Sequence, residues 1–159
     1  LEVLGGSESD LLAGFKKTIP VKAALVHPCQ IFRPAEVMQF DDADHPRVME
    51  KLVQAAAKSL VGYSFQNRCC GASLTMSNLA AAYQIGRTRL EELAAKGAEV
   101  IITACGNCHL LLHCRQSEYY NGRPIPCLFL PQLLGLALGF SADDLMIYDA
   151  QLRSLTGNV

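Results

Sequence analysis

Five cysteines fall into three short clusters, and their spacing is the clearest chemical signal in the sequence. They are Cys29, the adjacent pair Cys69 and Cys70, and Cys105 and Cys108, which two residues separate. Thiolates in such clusters bind metals, whereas a lone C-x-x-C also occurs in zinc knuckles and redox dithiols. Five cysteines at three predicted loop ends are stronger evidence, and they predict a metal centre.

The adjacent pair and the number of thiols favour an iron–sulfur cluster over a single ion. Neighbouring residues in an extended turn point their side chains apart, so Cys69 and Cys70 would chelate one small ion poorly. Five thiolates also exceed the four ligands of a tetrahedral zinc ion, whereas a cluster of several irons offers more positions. We therefore expect the five clustered cysteines to hold an iron–sulfur cluster, with zinc as the alternative.

Two further interpretations stay open. One is a zinc-binding structural or interaction domain, in which four cysteines, or three with a solvent or histidine ligand, form a closed site. The other is a metal-free dithiol oxidoreductase that uses Cys105 and Cys108, but it gives the other three clustered cysteines no role. Cys114 and Cys127, inside a predicted helix and a predicted strand, are interpreted as packing residues.

Basic and imidazole side chains near the cysteines are candidates for the surroundings of the centre. Arg33 and Arg68 each lie within four residues of a clustered cysteine and could offset an anionic cluster or hold an acidic substrate. His27 and His109 lie within two residues of one and are candidate hydrogen-bond donors, reserve ligands or proton carriers, with a purely structural role as the alternative. The cluster itself would be the reactive group.

The elements that must position these residues alternate between strand and helix. Apolar runs predict strands over residues 21–26, 63–65, 99–104 and 125–130. Helical spacing predicts helices over residues 10–17, 49–60, 73–97, 109–118 and 131–138. This order predicts an α/β fold: a parallel sheet flanked by helices on both faces, with the cysteine site at the C-terminal edge of the strands.

Composition limits the function classes. The 159 residues suffice for one domain, and half of them are hydrophobic. The net charge of −1 gives no electrostatic case for a nucleic-acid partner. The longest apolar stretch, residues 126–140, is too short and too interrupted for direct membrane insertion.

Seven cysteines without a secretory signal predict reduced thiols and a cytoplasmic location. Because the chain starts at Leu1, we expect a fragment or a processed product.

The cysteine clusters and the residues beside them resemble the cysteine-rich CCG domain, specifically the C-terminal such domain in the B subunit of heterodisulfide reductase. The resemblance extends from about Leu25 to Gly139. It rests on residues 27–34 (HPCQIFRP), 40–42 (FDD), 69–72 (CCGA), 97–108 (GAEVIITACGNC) and 132–139 (QLLGLALG). It implies a lead and short helix over 1–20, a CCG domain over 21–140 and a C-terminal tail over 141–159.

The resemblance also implies a cofactor, partners and a reaction. The five motif cysteines would hold a noncubane [4Fe-4S]-type cluster for disulfide reduction or electron transfer. The partners would be a missing N-terminal CCG domain of the same subunit, an iron–sulfur electron-donor subunit, and a disulfide or small-thiol substrate. Two positions depart from the family: Gly106, where Pro is frequent, and Gln30, where His is frequent.

Overall fold

Runs of apolar and β-branched residues form the strands of a central sheet. The computed structural model describes residues 8–64 and 66–156 and places four strands in parallel, in the order β2-β1-β3-β4. They are β1 (Ile19–Val26), β2 (Ala57–Leu60), β3 (Val100–Thr103) and β4 (Cys127–Phe129). Strands β1 and β3 are the two central ones, and both are almost wholly apolar, as a sheet covered on both faces requires.

Seven α-helices occur in the described residues. They are α1 (Glu8–Ala13), α2 (Ala35–Met38), α3 (Val48–Ala56), α4 (Leu79–Ala95), α5 (Gly106–His109), α6 (Leu130–Leu138) and α7 (Ala150–Thr156). Short 3-10 segments cover Cys29–Ile31, Ala72–Leu74 and Gln116–Glu118, and a π-helical turn covers Leu110–Cys114.

Successive side chains of the central strands point to opposite faces, and each face carries its own core. Leu25 of β1 and Ile102 of β3 pack with residues of α3, α6 and α7. Val26 and Ile101 pack on the other face with residues of α4 and of the segment that follows β3. Full burial of each such side chain contributes about 1.5–3 kcal/mol. The predicted α/β fold, with helices on both faces, is confirmed.

The second strand lies earlier in the chain than its sequence pattern indicates. Leu60, predicted to end a helix, belongs to β2, and α3 ends at Ala56. The strand predicted over 63–65 is wrong, because Tyr63 and Ser64 have no strand structure, and Phe65 lies outside the described residues. Strand β2 is half-exposed and contains polar residues, so no apolar run marks it. Its pairing with β1 stabilises it instead.

Other helix boundaries also differ from the prediction. Helix α1 ends at Ala13, before its predicted end at residue 17. Helix α4 begins at Leu79 and not at Ser73, because Asn78 caps it by accepting the Ala81 N–H at 3.0 Å. Its predicted end is confirmed, since Gly97 follows with a φ of 75°. The helix predicted over 109–118 begins earlier, at Gly106, and changes to a π-helical turn at Leu110.

Apolar residues after β4 complete one core. Leu133 and Leu136 of α6 are fully buried in it, whereas Phe140, just after this helix, is exposed. Leu152 of α7 packs in the same core, so residues beyond 140 also contribute to it. The domain boundaries remain a prediction. Within residues 8–64 and 66–156, no helix is long and apolar enough to cross a membrane.

The loop before α3 is fixed by one carboxylate. Asp41 Oδ2 accepts the N–H groups of Arg47 and Val48, each at 2.7 Å, and Oδ1 accepts that of Asp42 at 2.8 Å. Partial burial of Asp41 opposes ionisation, but these N–H donors together lower the pKa of its carboxyl group. The carboxylate thus satisfies donors at the start of a helix that has no cap from the adjacent residue.

Replacing Asp41 with Ala should lower the free energy of unfolding by about 1–2 kcal/mol at pH 7, because the donors at the start of α3 lose their acceptor. Urea unfolding would measure the loss. Since the folded pKa is lowered, the contribution is complete above the unfolded pKa of about 3.9 and disappears as the pH falls through the folded value. Asp44→Ala, at an exposed surface ion pair, is the control and should change little. Equal losses would contradict the role of Asp41.

Candidate metal centre

The pairing of the two central strands brings two of the cysteine clusters together. Val26, the last residue of β1, pairs with Thr103, the last residue of β3. Cys29 begins the 3-10 segment just after β1, and Cys105 lies between β3 and α5. Both segments therefore leave the sheet side by side at its C-terminal edge. The predicted position of the cysteine site is confirmed.

The third cluster comes from the loop between β2 and α4. In this loop Cys69 is exposed and Cys70 is buried. The Sγ atom of Cys69 lies 3.9 Å from that of Cys29, and the Sγ atom of Cys70 lies 3.2 Å from that of Cys108. The two neighbouring cysteines thus face different partners, as expected for side chains that point apart. None of the seven cysteines, all of which lie in the described residues, forms a disulfide bond.

The fifth thiol belongs to the same electrostatic group. Cys105 Sγ lies 4.0 Å from Gln30 Oε1. The pKa of Cys29 is raised to about 11, mainly by burial and then by a hydrogen bond with Cys69 and the negative charges of Cys69, Cys70 and Cys105. The five sulfurs are therefore close enough for their charges to interact.

One buried pair of thiols is joined by a hydrogen bond. The Cys108 thiol donates to Cys70, and this bond, together with the Ala72 N–H and the charge of Arg89, lowers the pKa of Cys70 to about 6, although burial opposes the shift. The same bond, followed by burial, raises the pKa of Cys108. Of these two thiols, Cys70 therefore loses its proton more readily, and the thiolate is the form that binds metals.

The donor set suits a soft metal. Five thiol sulfurs converge at one sheet edge, and thiolates are the ligands that iron–sulfur clusters and zinc share. In the described residues no three His, Cys, Asp or Glu side chains are arranged for a single metal ion. The residues fit a thiolate-bound group by type and by proximity.

Backbone groups support the sulfurs. The Gly71 N–H lies 3.5 Å from Cys69 Sγ, and the Cys105 N–H donates to Thr103 Oγ1 at 3.3 Å. Gly71 has a φ of 93°, and a Cβ atom added there would lie 3.2 Å from Ile85. The turn after Cys70 therefore requires glycine. At Gly106 an added Cβ would meet nothing within 4 Å, so no neighbouring group requires glycine there.

A buried arginine, which sequence reasoning missed, lies behind the cysteine pair. The side chain of Arg89 in α4 is 1% exposed, and its guanidinium donates to the carbonyl oxygens of Arg68 at 2.8 Å and of Cys69 at 3.2 Å. A signal existed in the sequence, because Arg89 lies three residues from Gly86 and four from Leu93 on the buried face of the helix. An arginine at an apolar position of a helix pattern calls for a functional hypothesis.

The predicted neighbours of the centre have structural partners of their own. His27 is buried, and its Nε2 lies 3.3 Å from Gln66 Nε2 and 3.6 Å from Glu50 Oε1. The ring of His109 stacks on Phe129 at 4.6 Å. Arg33 forms an exposed ion pair with Asp44. Roles of these three residues at the centre remain predictions.

The two remaining cysteines differ from each other. Cys127 is 1% exposed in the core beside β4, which agrees with its interpretation as a packing residue. For Cys114 that interpretation is wrong, because it is exposed, with its Sγ 3.7 Å from His109 Nδ1. The π-helical turn over Leu110–Cys114 breaks the 3.6-residue period on which the expectation of burial depends.

A cavity of about 390 Å³ opens beside the exposed end of the centre. Cys69 lines it together with Arg68, Gln84, Ile85, Thr88 and Arg89. A larger apolar groove, of about 770 Å³, lies between α1, α3 and α6, and no cysteine lines it. Of the two, only the smaller cavity gives a small molecule access to a candidate ligand sulfur.

Residues 23–113 match the sequence profile of the CCG cysteine-rich domain. The chain belongs to the CCG cysteine-rich domain family. The match contains all five clustered cysteines, which confirms the resemblance seen in the motifs. Cys114 and Cys127 lie outside the matched residues.

Curated relatives of this CCG domain are reductase subunits. The chain is similar to the B subunit of the ferredoxin:CoB-CoM heterodisulfide reductase of Methanosarcina mazei, with 31% identity over 86% of this chain and 48% of the relative. It is 29% identical to the B subunit of the ferredoxin/F(420)H(2)-dependent CoB-CoM heterodisulfide reductase of Methanosarcina acetivorans, over the same shares.

A third relative has a different description. It is the 8-methylmenaquinol:fumarate reductase membrane anchor subunit of Wolinella succinogenes, with 27% identity over 91% of this chain and 53% of the relative. The chain spans about half the length of the curated relatives it matches.

Gly71→Ala should lower the free energy of unfolding by about 1–3 kcal/mol, because alanine is strained at this backbone angle and its Cβ would crowd Ile85. Gly106→Ala, in the other cysteine motif, has open space for the Cβ atom and should change stability by no more than about 0.5 kcal/mol. Thermal unfolding of both variants would measure the difference. Equal effects would contradict the backbone role of Gly71.

Proposed function

We propose that this CCG domain binds an iron–sulfur cluster as part of a disulfide-reducing or electron-transferring subunit. The observation that carries the proposal is the split of the adjacent pair, in which Cys69 faces Cys29 while Cys70 faces Cys108. Thiolates that face apart can each bind a different metal of one cluster, which a single ion does not offer. The relatives described as heterodisulfide reductase subunits support the same class of protein.

The cluster we propose is of the noncubane [4Fe-4S] type, held by Cys29, Cys69, Cys70, Cys105 and Cys108. When bound, it would supply electron transfer and iron positions for sulfur ligands. The residues of this chain hold it and control its surroundings. Cys70 and Cys108 lie on the buried side, and Cys69 lies on the side that solvent and the cavity reach.

The reaction we propose is the reduction of a disulfide to two thiols. One S–S bond is broken, two electrons are added, and each sulfur takes up one proton. The electrons would come from an iron–sulfur partner subunit, and a second CCG domain of the same subunit would complete the site. A site completed by a second domain would agree with the finding that the chain spans about half the length of its relatives.

Metal analysis after strictly anaerobic purification or reconstitution tests the proposal. We expect several irons and a similar amount of acid-labile sulfide per chain, with a visible chromophore and a paramagnetic signal. Stoichiometric zinc with no colour and no paramagnetic signal would favour the zinc-binding structural or interaction domain instead.

Two pairs of cysteine variants test the ligand set. Cys70→Ser should lose most of the iron, whereas Cys127→Ser, at an equally buried cysteine, should keep it. Among the exposed cysteines, Cys69→Ser should lose iron and Cys114→Ser should keep it. Iron and sulfide per chain are the measurements. If activity survived in Cys29→Ser and Cys69→Ser but not in Cys105→Ser, the dithiol mechanism would replace the cluster.

A further inference from the structure

Arg89 brings a positive charge into the interior directly behind the cysteine pair. Its side chain is 1% exposed. Moving a charged group out of water costs several kcal/mol, even after relaxation, unless negative charge or hydrogen bonds compensate. The surroundings of Arg89 must therefore supply the negative charge or the hydrogen bonds that compensate its buried charge.

The guanidinium is held in place by rigid neighbours. It projects from α4, whose Leu90 and Leu93 are fully buried. Gly86, one turn earlier, lets this helix approach Tyr119, since an added Cβ would lie 2.8 Å from its ring. The charged group also lies 5.8 Å from the centre of the Tyr63 ring. The charge is therefore fixed relative to the centre.

Two carbonyl hydrogen bonds connect this charge to the cysteine loop. One guanidinium nitrogen donates to Arg68 O at 2.8 Å and to Cys69 O at 3.2 Å. These carbonyls precede Cys69 and Cys70 in the chain, so the bonds fix the peptide groups from which both thiols project. The same loop ends in a turn at Gly71 with a φ of 93°, which glycine adopts without strain, and the hydrogen bonds of Arg89 hold the backbone just before this turn.

The charge also lies close to the sulfurs. One guanidinium nitrogen is 3.2 Å from Cys69 O, in the peptide group that joins Cys69 to Cys70. Glu92 lies one turn further along α4 and interacts electrostatically with Arg89, while its Oε1 accepts bonds from the N–H and hydroxyl groups of Ser64. Arg33, by contrast, pairs with Asp44 in solvent, where screening makes a charge weak.

We propose that Arg89 is a positioning residue and a fixed counter-charge for the metal centre. Its hydrogen bonds hold the Cys69–Cys70 loop in the ligating conformation, and its charge balances the negative charge of the thiolate-bound group. The proposal rests on the proposed function, because the negative charge arises when the thiolates bind metal. Groups of this kind around metal ligands change metal affinity by about 10–100-fold.

Arg89→Met and Arg89→Lys separate the two roles. Methionine removes the charge and the hydrogen bonds, and lysine keeps the charge but lacks the planar guanidinium group with its several N–H donors. After anaerobic loading, both variants should release iron to a ferrous chelator about tenfold faster than the wild-type chain. Only the Met variant should have a clearly more negative reduction potential, because a fixed positive charge favours the reduced centre.

Arg87→Met is the matched control, since Arg87 lies in the same helix but donates to Tyr119 O at 2.8 Å. It should leave both the release rate and the potential unchanged. If both Arg89 variants had the release rate and the reduction potential of the wild-type chain, the proposal would be overturned. If Arg89→Lys and Arg89→Met shifted the potential equally, the role of Arg89 as a counter-charge would be overturned. If the Met variant fails to fold, Arg89→Gln takes its place as the uncharged variant.

The same comparison distinguishes failure of this inference from failure of the proposed function. If the wild-type chain holds zinc and no sulfide, the proposed function fails, and zinc release to a chelator then decides the role of Arg89, since a zinc–thiolate centre is also anionic. If the wild-type chain loads iron and sulfide but Arg89→Met matches it in both measurements, only the inference fails. A wild-type chain that retains neither metal overturns both.

Discussion

The register between β1 and β3 is the constraint on which the site depends. Because Val26 pairs with Thr103, the two central strands end at the same level, and the chain delivers Cys29 and Cys105 next to each other. A shift of one residue would turn every side chain of one strand to the opposite face, where it would no longer fit the core that packs there. The cores on both faces of the sheet thus fix the register, and the register fixes the site.

The loop from β2 to α4 has no such constraint from the sheet, and side-chain contacts position it instead. Gly71 allows the backbone to turn directly after Cys70, and Arg89 binds the carbonyl groups just before it. This loop carries the two cysteines with the most different environments, since Cys69 is exposed and Cys70 is buried. Polar contacts therefore order this loop together with the burial of Cys70 and Ala72 in the core.

The sequence predicts those features that have a strong local signal. The apolar run of β3 identifies a central strand, and the C-x-x-C that follows it identifies the site. Strand β2 has no such signal, because an edge strand with Lys58 and Ser59 does not form an apolar run, and only its pairing with β1 reveals it. The π-helical turn that exposes Cys114 also leaves no periodic signal. The role of Arg89 is not predicted, because arginines on a helix are usually exposed and its burial depends on the fold.

Burial divides the cysteine site into a buried side and a solvent-exposed side. Cys70 and Cys108 are enclosed by α4 and the segment after β3, where a low dielectric strengthens the effect of the charge of Arg89. Cys69 is exposed, and Cys29 is only partly buried. Under the proposed function, the buried side would set the electronic properties of the bound group. The exposed side, with the cavity beside Cys69, would be where substrate sulfur arrives. The adjacent cysteines allow one centre to have both sides, because one faces inward while its neighbour faces out.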